Sequence, residues 1–242
     1  MEPYHFFKYR KIDKRFFKSL EEGTIYFAPP KKLNDPFDCR VNIRNALANA
    51  IKLSDDEESK KLRKLIQGDD FFDTLQNDLD ALGICSFSLN LMQVEMWTHY
   101  ADNHKGACVL YEFSEDFLVD PNNEIFGVSN VCYEKDSVTQ WFADIIKKLP
   151  VDFDEFVMEL AKRLVTAKNP CWTYEKEVRI IRKLHGLFKI PKSFIRQICF
   201  GLQTTDDDIL RVHKITNNYE RNVDYCRVMK DDSDFGIVVL DI

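Results

Sequence analysis

Glycine is scarce in this chain, 8 of 242 residues, and none of it falls into a Gly-x-Gly-x-x-Gly or Walker-type pattern. A phosphate cradle built on a glycine turn, as in Rossmann and P-loop nucleotide sites, is therefore not expected. Histidine is equally sparse. The five, at positions 5, 99, 104, 185 and 213, show no His-Glu-x-x-His spacing, so no bound metal is expected. A Gly-x-Ser-x-Gly nucleophile elbow is missing as well. The seven cysteines, at 39, 85, 108, 132, 171, 199 and 226, are odd in number and widely spaced. That argues against a disulfide framework or a paired-cysteine zinc site and leaves reduced, mostly core thiols. No apolar run approaches the ~20 residues of a membrane span. The opening Met1-Glu2-Pro3-Tyr4-His5 also lacks the layout of a signal peptide. The expectation is a cytoplasmic protein with no membrane partner. A net charge of −6 argues against a generic nucleic-acid coat.

What is present is ample core material, 45% hydrophobic and 13% aromatic residues, enough for one domain over residues 1–242. Residues 6–10 read as a strand, Asp13 as the cap of a helix to Glu22, and Gly23 as its stop before a strand over 24–28. Residues from about 40 to 82 read as a helical insertion, with Leu62, Leu65 and Ile66 on one face and Asp69-Asp70 opening a further helix after Gly68. Strands are predicted over 83–88, 107–113, 125–133, 172–182, 188–190, 195–200, 224–229 and 235–240, with helices over 92–102, 137–149, 152–168 and 206–216 and Pro150 as a break. Interleaving without a steady βαβ rhythm implies an α+β fold with a mixed, mostly antiparallel sheet.

The most informative local feature is Asn34-Asp35-Pro36-Phe37-Asp38, following Ala28-Pro29-Pro30. Proline fixes φ and removes donors, so this is a shaped loop. Asn34 can close an Asx turn, Pro36 holds Asp35 extended, and Asp38 is either a helix cap or a site carboxylate.

Charge is uneven along the chain. Residues 8–18 carry Lys8, Arg10, Lys11, Lys14, Arg15 and Lys18 against Asp13, and a second basic stretch runs over 176–196. Should the two meet, they make a cationic cleft for a phosphate-bearing ligand; otherwise they are solvated faces. In Trp172-Thr173-Tyr174-Glu175-Lys176-Glu177-Val178-Arg179, a strand's period puts Glu175, Glu177 and Arg179 on one face. That face is either an ion-pair ladder or a site in which neighbouring charges set protonation. On the 92–102 helix, Val94, Trp97 and Ala101 form the buried stripe, turning His99 aside with Glu95 and Asp102.

Lys8-Tyr9-Arg10, Leu33 through Asp38, Met96-Trp97-Thr98-His99-Tyr100-Ala101 with Gly106, and Trp172 through Arg179 together resemble a widespread bacterial family known as a domain of unknown function. Its marks are KYR, NDPFD, MWxxYA and WxYExExR. Val178 stands where that family usually has tryptophan. The resemblance implies a genomic setting near mobile elements and phage-defence genes. The layout is also similar to the ADP-ribosyltransferase fold, in which an opening strand with His or Arg, a helix, a glycine and a strand precede a later glutamate strand. That similarity implies NAD as substrate and an enzyme that hydrolyses NAD or transfers ADP-ribose to a protein or nucleic-acid acceptor. It implies Arg10 on the NAD phosphate or ribose, Glu177 on a ribose hydroxyl with Glu175 beside it, and Tyr100 or Tyr174 against the nicotinamide. Tyr9, Asn34, Asp35, Phe37, Asp38, His99 and Arg179 complete the expected nucleotide site. Two rivals stand: a Mg²⁺-dependent phosphodiesterase or nuclease using Asp35, Asp38 and Glu177, and a sensor that binds a nucleotide or phage component without turnover.

Overall fold

The opening strand β1 (Tyr4–Arg10) leads into α1 (Lys14–Glu22), and this first helix shows why local signals were readable. Asp13 accepts from Phe16 N at 2.9 Å to cap it, and Gly23 ends it in the left-handed conformation at φ 64°. Phe16, Phe17 and Leu20 are buried on its inner face. Strand β2 (Thr24–Phe27) follows directly. A computed structural model describes residues 3–65, 70–148, 152–233 and 235–242. The expectations for Ile66, Gly68, Asp69 and Pro150 lie outside them.

Three helices then intervene, α2 (Ile43–Lys52), α3 (Asp56–Leu65) and α4 (Asp70–Ala81), before β3 (Gly83–Ser88). Next come α5 (Val94–Tyr100), β4 (Ala107–Phe113), the short α6 (Glu115–Val119) and β5 (Ile125–Asn130). The helices α7 (Ser137–Ile146) and α8 (Phe153–Thr166) precede β6 (Glu177–Arg182) and β7 (Gly186–Lys189). The chain closes with β8 (Ile195–Phe200), α9 (Asp206–Thr216), β9 (Asp224–Lys230) and β10 (Ile237–Asp241). Helix α6 is absent from the sequence-based prediction, being a five-residue turn capped by Ser114.

Eight strands form one sheet in the order β10-β9-β8-β4-β1-β3-β6-β5, and β2 pairs with β7 in a second, two-stranded sheet. The fold is α+β. All neighbours in the large sheet run antiparallel except β8 and β9, whose parallel pairing needs a crossover that α9 supplies. One apolar cluster joins α1, Phe87, Val109 and Ile180 on one side of the sheet. On the other side α2, α4, α7 and α8 pack on Ile84 and Ile181, so the helical insertion is mounted on the sheet.

The sheet opens at one seam. Every residue of β1 pairs with β4, from Tyr4↔Phe113 to Arg10↔Ala107, whereas β1 meets β3 at Phe7↔Ser88. Beyond that pair the two strands separate, and Lys8 Nζ donates to Ser86 O at 2.7 Å, satisfying a carbonyl the ladder leaves free. The bridge Ala28↔Ile84 ties β2 across the start of β3 and closes the far side of the gap.

One segment departs from the predicted strand over 172–182. Asn169 accepts from Cys171 N at 3.0 Å and Pro170 occupies the first turn, so Pro170–Glu175 is a 3-10 helix. Lys176 then turns the chain at φ 43°, and only Glu177–Arg182 is strand. The cap-plus-proline start outweighs the strand propensity of Trp172 and Tyr174.

Candidate functional site

The loop between β2 and α2 is shaped by its acids in a way the sequence left open. Asp35 closes the Asx turn, accepting from Phe37 N at 2.9 Å, and the turn is not closed by Asn34. Asn42 caps α2, accepting from Asn45 N, so Asp38 is not a helix cap. Asp38 is instead 3% exposed and takes a two-pronged contact from Arg179, NH1 to Oδ1 at 2.9 Å and NH2 to Oδ2 at 2.5 Å.

Strand period places Glu177 and Arg179 on one face of β6, and the turn at Lys176 brings Glu175 alongside. All three are buried, so this is not a solvated ladder. Arg179 Nε donates to Glu177 Oε1 at 2.7 Å, and its NH1 reaches Val165 O at 2.5 Å. Lys168 Nζ completes the group, 2.5 Å from Glu175 Oε2, 2.8 Å from Glu177 Oε2 and 3.7 Å from Asp38 Oδ2. Tyr100 OH donates to Glu175 Oε1 at 2.5 Å and accepts from Asn34 Nδ2 at 3.4 Å. Ser88 Oγ holds the Glu175 carbonyl at 2.7 Å, and Tyr133 OH accepts from Glu177 N at 2.9 Å.

Tyr100 is placed by a short helix with a deep anchor. In α5, Trp97 is fully buried, donates from Nε1 to Leu91 O at 2.9 Å and meets Tyr9 edge-on. The buried stripe is Met96, Trp97 and Ala101; Val94, expected inside, is exposed because the helix packs through its later turn. After α5 the chain passes close to the end of β1. A Cβ on Gly106 would lie 2.2 Å from Arg10 O, so only glycine fits there.

Three carboxylates, Asp38, Glu175 and Glu177, thus meet two cations, Lys168 and Arg179, and ionisation of all five leaves one excess negative charge. Burial pushes the Glu177 carboxyl up, but Arg179 and then Lys168 outweigh it and lower its pKa to about 2. Glu175 moves the other way: burial raises it, and Lys168 and Tyr100 offset that only in part. Burial alone would lower Lys168, yet Glu177 and Glu175 hold it above its ordinary value as an ammonium. Glu177 is the fixed anion, and Glu175 is the member that takes up a proton more readily.

This group floors a cavity of about 860 Å³ opening at the seam between β1 and β3. Tyr9, Arg10, Asn34, Asp38, Tyr100, Glu175 and Glu177 of the predicted site line it. Asp35 and Phe37 line a neighbouring cavity of about 430 Å³, which shares Asp38 and Lys168 with the first. Asp35 is therefore not beside Arg10 and Glu177, because its carboxylate is turned into its own loop. Phe37 is 79% exposed, Arg179 lies fully buried behind Glu177, and exposed His99 sits with Tyr174 away from the cavity lining, rings 6.3 Å apart.

The two basic stretches do not combine. Arg10, Arg15 and Lys18 of the first line the cavity, with Lys32 from the shaped loop. Arg179 of the second is internal, and Arg182 is packed on the rings of Phe27 and Phe188. Among the described residues no acidic side chain lies within ion-pair distance of Arg10, Arg15 or Lys32. Lys168 is the functional residue that sequence reading missed. It follows a 14-residue helix as one lysine among many, and only Glu175 and Glu177 seven and nine positions later hint at its pairing.

Among the described residues no three His, Cys, Asp or Glu side chains are grouped so as to hold a metal ion. Asp38 and Glu177, which the Mg²⁺ reading requires, direct their oxygens at Arg179 and Lys168.

A family model described as a protein of unknown function (DUF2971) matches residues 96–180, the span from α5 to the middle of β6. It covers Tyr100, Lys168, Glu175, Glu177 and Arg179, the floor of the cavity, and stops short of Arg10 and Asp38. Neither a search of curated proteins nor a search of solved structures found a match.

Proposed function

We propose that this cavity binds NAD and breaks the bond between ribose and nicotinamide, passing the ADP-ribose to water or to a protein or nucleic-acid acceptor. One observation carries the reading: Arg10, Arg15 and Lys32, with no acidic partner among the described residues, and a buried carboxylate group with one excess negative charge line the same cavity. Unpaired guanidinium and ammonium groups suit the diphosphate. A net negative floor suits the cationic sugar that forms when the glycosidic bond breaks.

The bond between ribose C1′ and the pyridinium nitrogen breaks with its electron pair leaving on nitrogen, so nicotinamide departs neutral and the ribose carries the positive charge. Glu177, held ionised by Arg179 and Lys168, and Glu175 present that charge with preorganised anions that need not rearrange. An oxygen or nitrogen nucleophile then adds to C1′ and loses a proton. Glu175, whose pKa is raised, is the group suited to receive it. Tyr100, fixed by Asn34 and Glu175, orients that carboxylate.

Incubation of the folded protein with NAD in EDTA, followed by measurement of free nicotinamide, tests this reading. Release that persists in EDTA is expected. Nucleic-acid cleavage that EDTA abolishes, without nicotinamide release, would favour the Mg²⁺ enzyme. NAD binding with no product would favour the sensor.

A further inference from the structure

One wall of the same cavity is apolar for no reason the fold supplies. In β2 the side chains alternate, Ile25 and Phe27 into the core and Tyr26 out. Tyr26 is 41% exposed and its cross-strand partner Leu187 on β7 is 65% exposed. Single exposed apolar residues are ordinary, but these two face each other across two strands and both line the cavity. The sheet beneath them is firmly set: Arg182 is layered against Phe27 and Phe188 on its underside, 5.3 and 3.9 Å from their ring centroids. The pair is thus presented on a rigid base.

Cations adjoin it. Helix α1 runs through Gly23 straight into β2, and its Arg15 and Lys18, three positions apart on one helix face, line the cavity with Lys32 from the loop after β2. Lys18 is also 3.6 Å from Glu22, which lines the cavity too, whereas Arg15 and Lys32 have no acidic partner among the described residues. Flat apolar surface beside such cations fits a ligand with an aromatic ring joined to phosphate. Inorganic phosphate would leave Tyr26 and Leu187 without a partner, and an apolar ligand would leave Arg15 and Lys32 without one among the described residues. The cavity volume is in the upper part of the ~300–1,000 Å³ range of small-molecule sites, large enough for a nucleotide longer than a nucleoside.

We infer that Tyr26 and Leu187 form a base platform, on which the purine ring of a nucleoside diphosphate stacks while Arg15, Lys18 and Lys32 hold its phosphates. The platform rests on the nucleotide reading above and names the part of the ligand that reading left unassigned, the base remote from the reacting ribose. Stacking on an aromatic face discriminates little between purines, so ADP and GDP should bind alike and pyrophosphate, which has no ring, more weakly.

The test is calorimetric titration of the full chain with ADP and, separately, with inorganic pyrophosphate. The Tyr26→Ala change should weaken ADP about tenfold and leave pyrophosphate unchanged, and Tyr26→Phe should restore ADP binding. Leu187→Ser should act in the same direction, so the outcome does not hang on one variant. Equal affinity of the wild type for ADP and pyrophosphate, binding of neither, or ADP binding indifferent to both substitutions would each overturn the platform. Nicotinamide release by the wild type reports separately on the chemistry. ADP binding sensitive to Tyr26 without NAD cleavage would leave the platform standing and sink the reaction, and NAD cleavage with insensitive ADP binding would do the reverse.

Discussion

The floor and the rim of one cavity carry charge in opposite ways. On the floor, the side chains of Asp38, Glu175, Glu177, Lys168 and Arg179 are buried and each contacts at least one opposite charge. On the rim, Arg15 and Lys32 are exposed and no acidic partner is described for them. Burying an ion is costly unless it is paired, so the floor's pairs are obligatory and belong to folding as much as to chemistry. An exposed cation is tolerated alone and can wait for a ligand. Floor substitutions that leave a buried charge unmatched should therefore move stability, and those on the rim should move affinity and its salt dependence.

The sharpest way to break this contrast is Arg179→Met. It leaves Asp38 and Glu177 buried without their main partner, and loss of one side of such a pair costs about 3–5 kcal/mol. Urea unfolding should show that loss, and a cost under about 1 kcal/mol, the range of a surface pair, would erase the distinction between floor and rim.

Acid should undo the floor next. Glu177 has its pKa depressed to about 2 by Arg179 and Lys168, against an ordinary carboxylate value near ~4.5. A carboxyl that ionises more easily when folded adds stability above its unfolded pKa and loses it as pH falls through the folded one. Stability followed by thermal melts should decline between about pH 4.5 and 2, and Glu177→Gln should flatten that decline. An unchanged acid limb in the variant would show that other carboxylates govern it.

On the rim, Arg15→Ala and Lys32→Ala together should raise the KM for NAD several-fold and reduce its rise with salt, with a shift in stability within about 0.5 kcal/mol. A fall in melting temperature with unchanged KM would show the rim to be structural. The smallest effect is expected in the insertion. Asp55 caps α3 by accepting from Glu58 N at 2.8 Å, a role serine also fills, so replacing residues 55–58 by serine should leave NAD turnover unchanged.

Much of the fold was legible because its signals are local. Asp13 and Gly23 mark both ends of α1, Asp206–Thr216 has an acidic first turn behind Thr205, and β1 and β3 carry apolar residues between turn signals. The floor was half legible. Glu175, Glu177 and Arg179 stand out as close charges in one segment, although the strand assumed for them was in part a 3-10 turn. Lys168 and the pairing of Asp38 with Arg179 were not readable, since that contact spans 141 positions and no local pattern encodes it. The open seam between β1 and β3 was hidden for the same reason: strand order depends on long-range pairing, while composition and period report only on neighbours.

Glu175→Gln tests the floor's chemical role with least disturbance to its structural one. It removes the excess negative charge and leaves Asp38 and Glu177 matched against Lys168 and Arg179, so folding should be nearly unaffected. Nicotinamide release from NAD, measured beside the thermal midpoint of the same sample, should fall by roughly 10²- to 10³-fold, the cost of losing one preorganised electrostatic partner, while the midpoint stays close to that of the wild type. Undiminished release from the variant, or no release from the folded wild type, would contradict the assignment of this cavity to NAD cleavage.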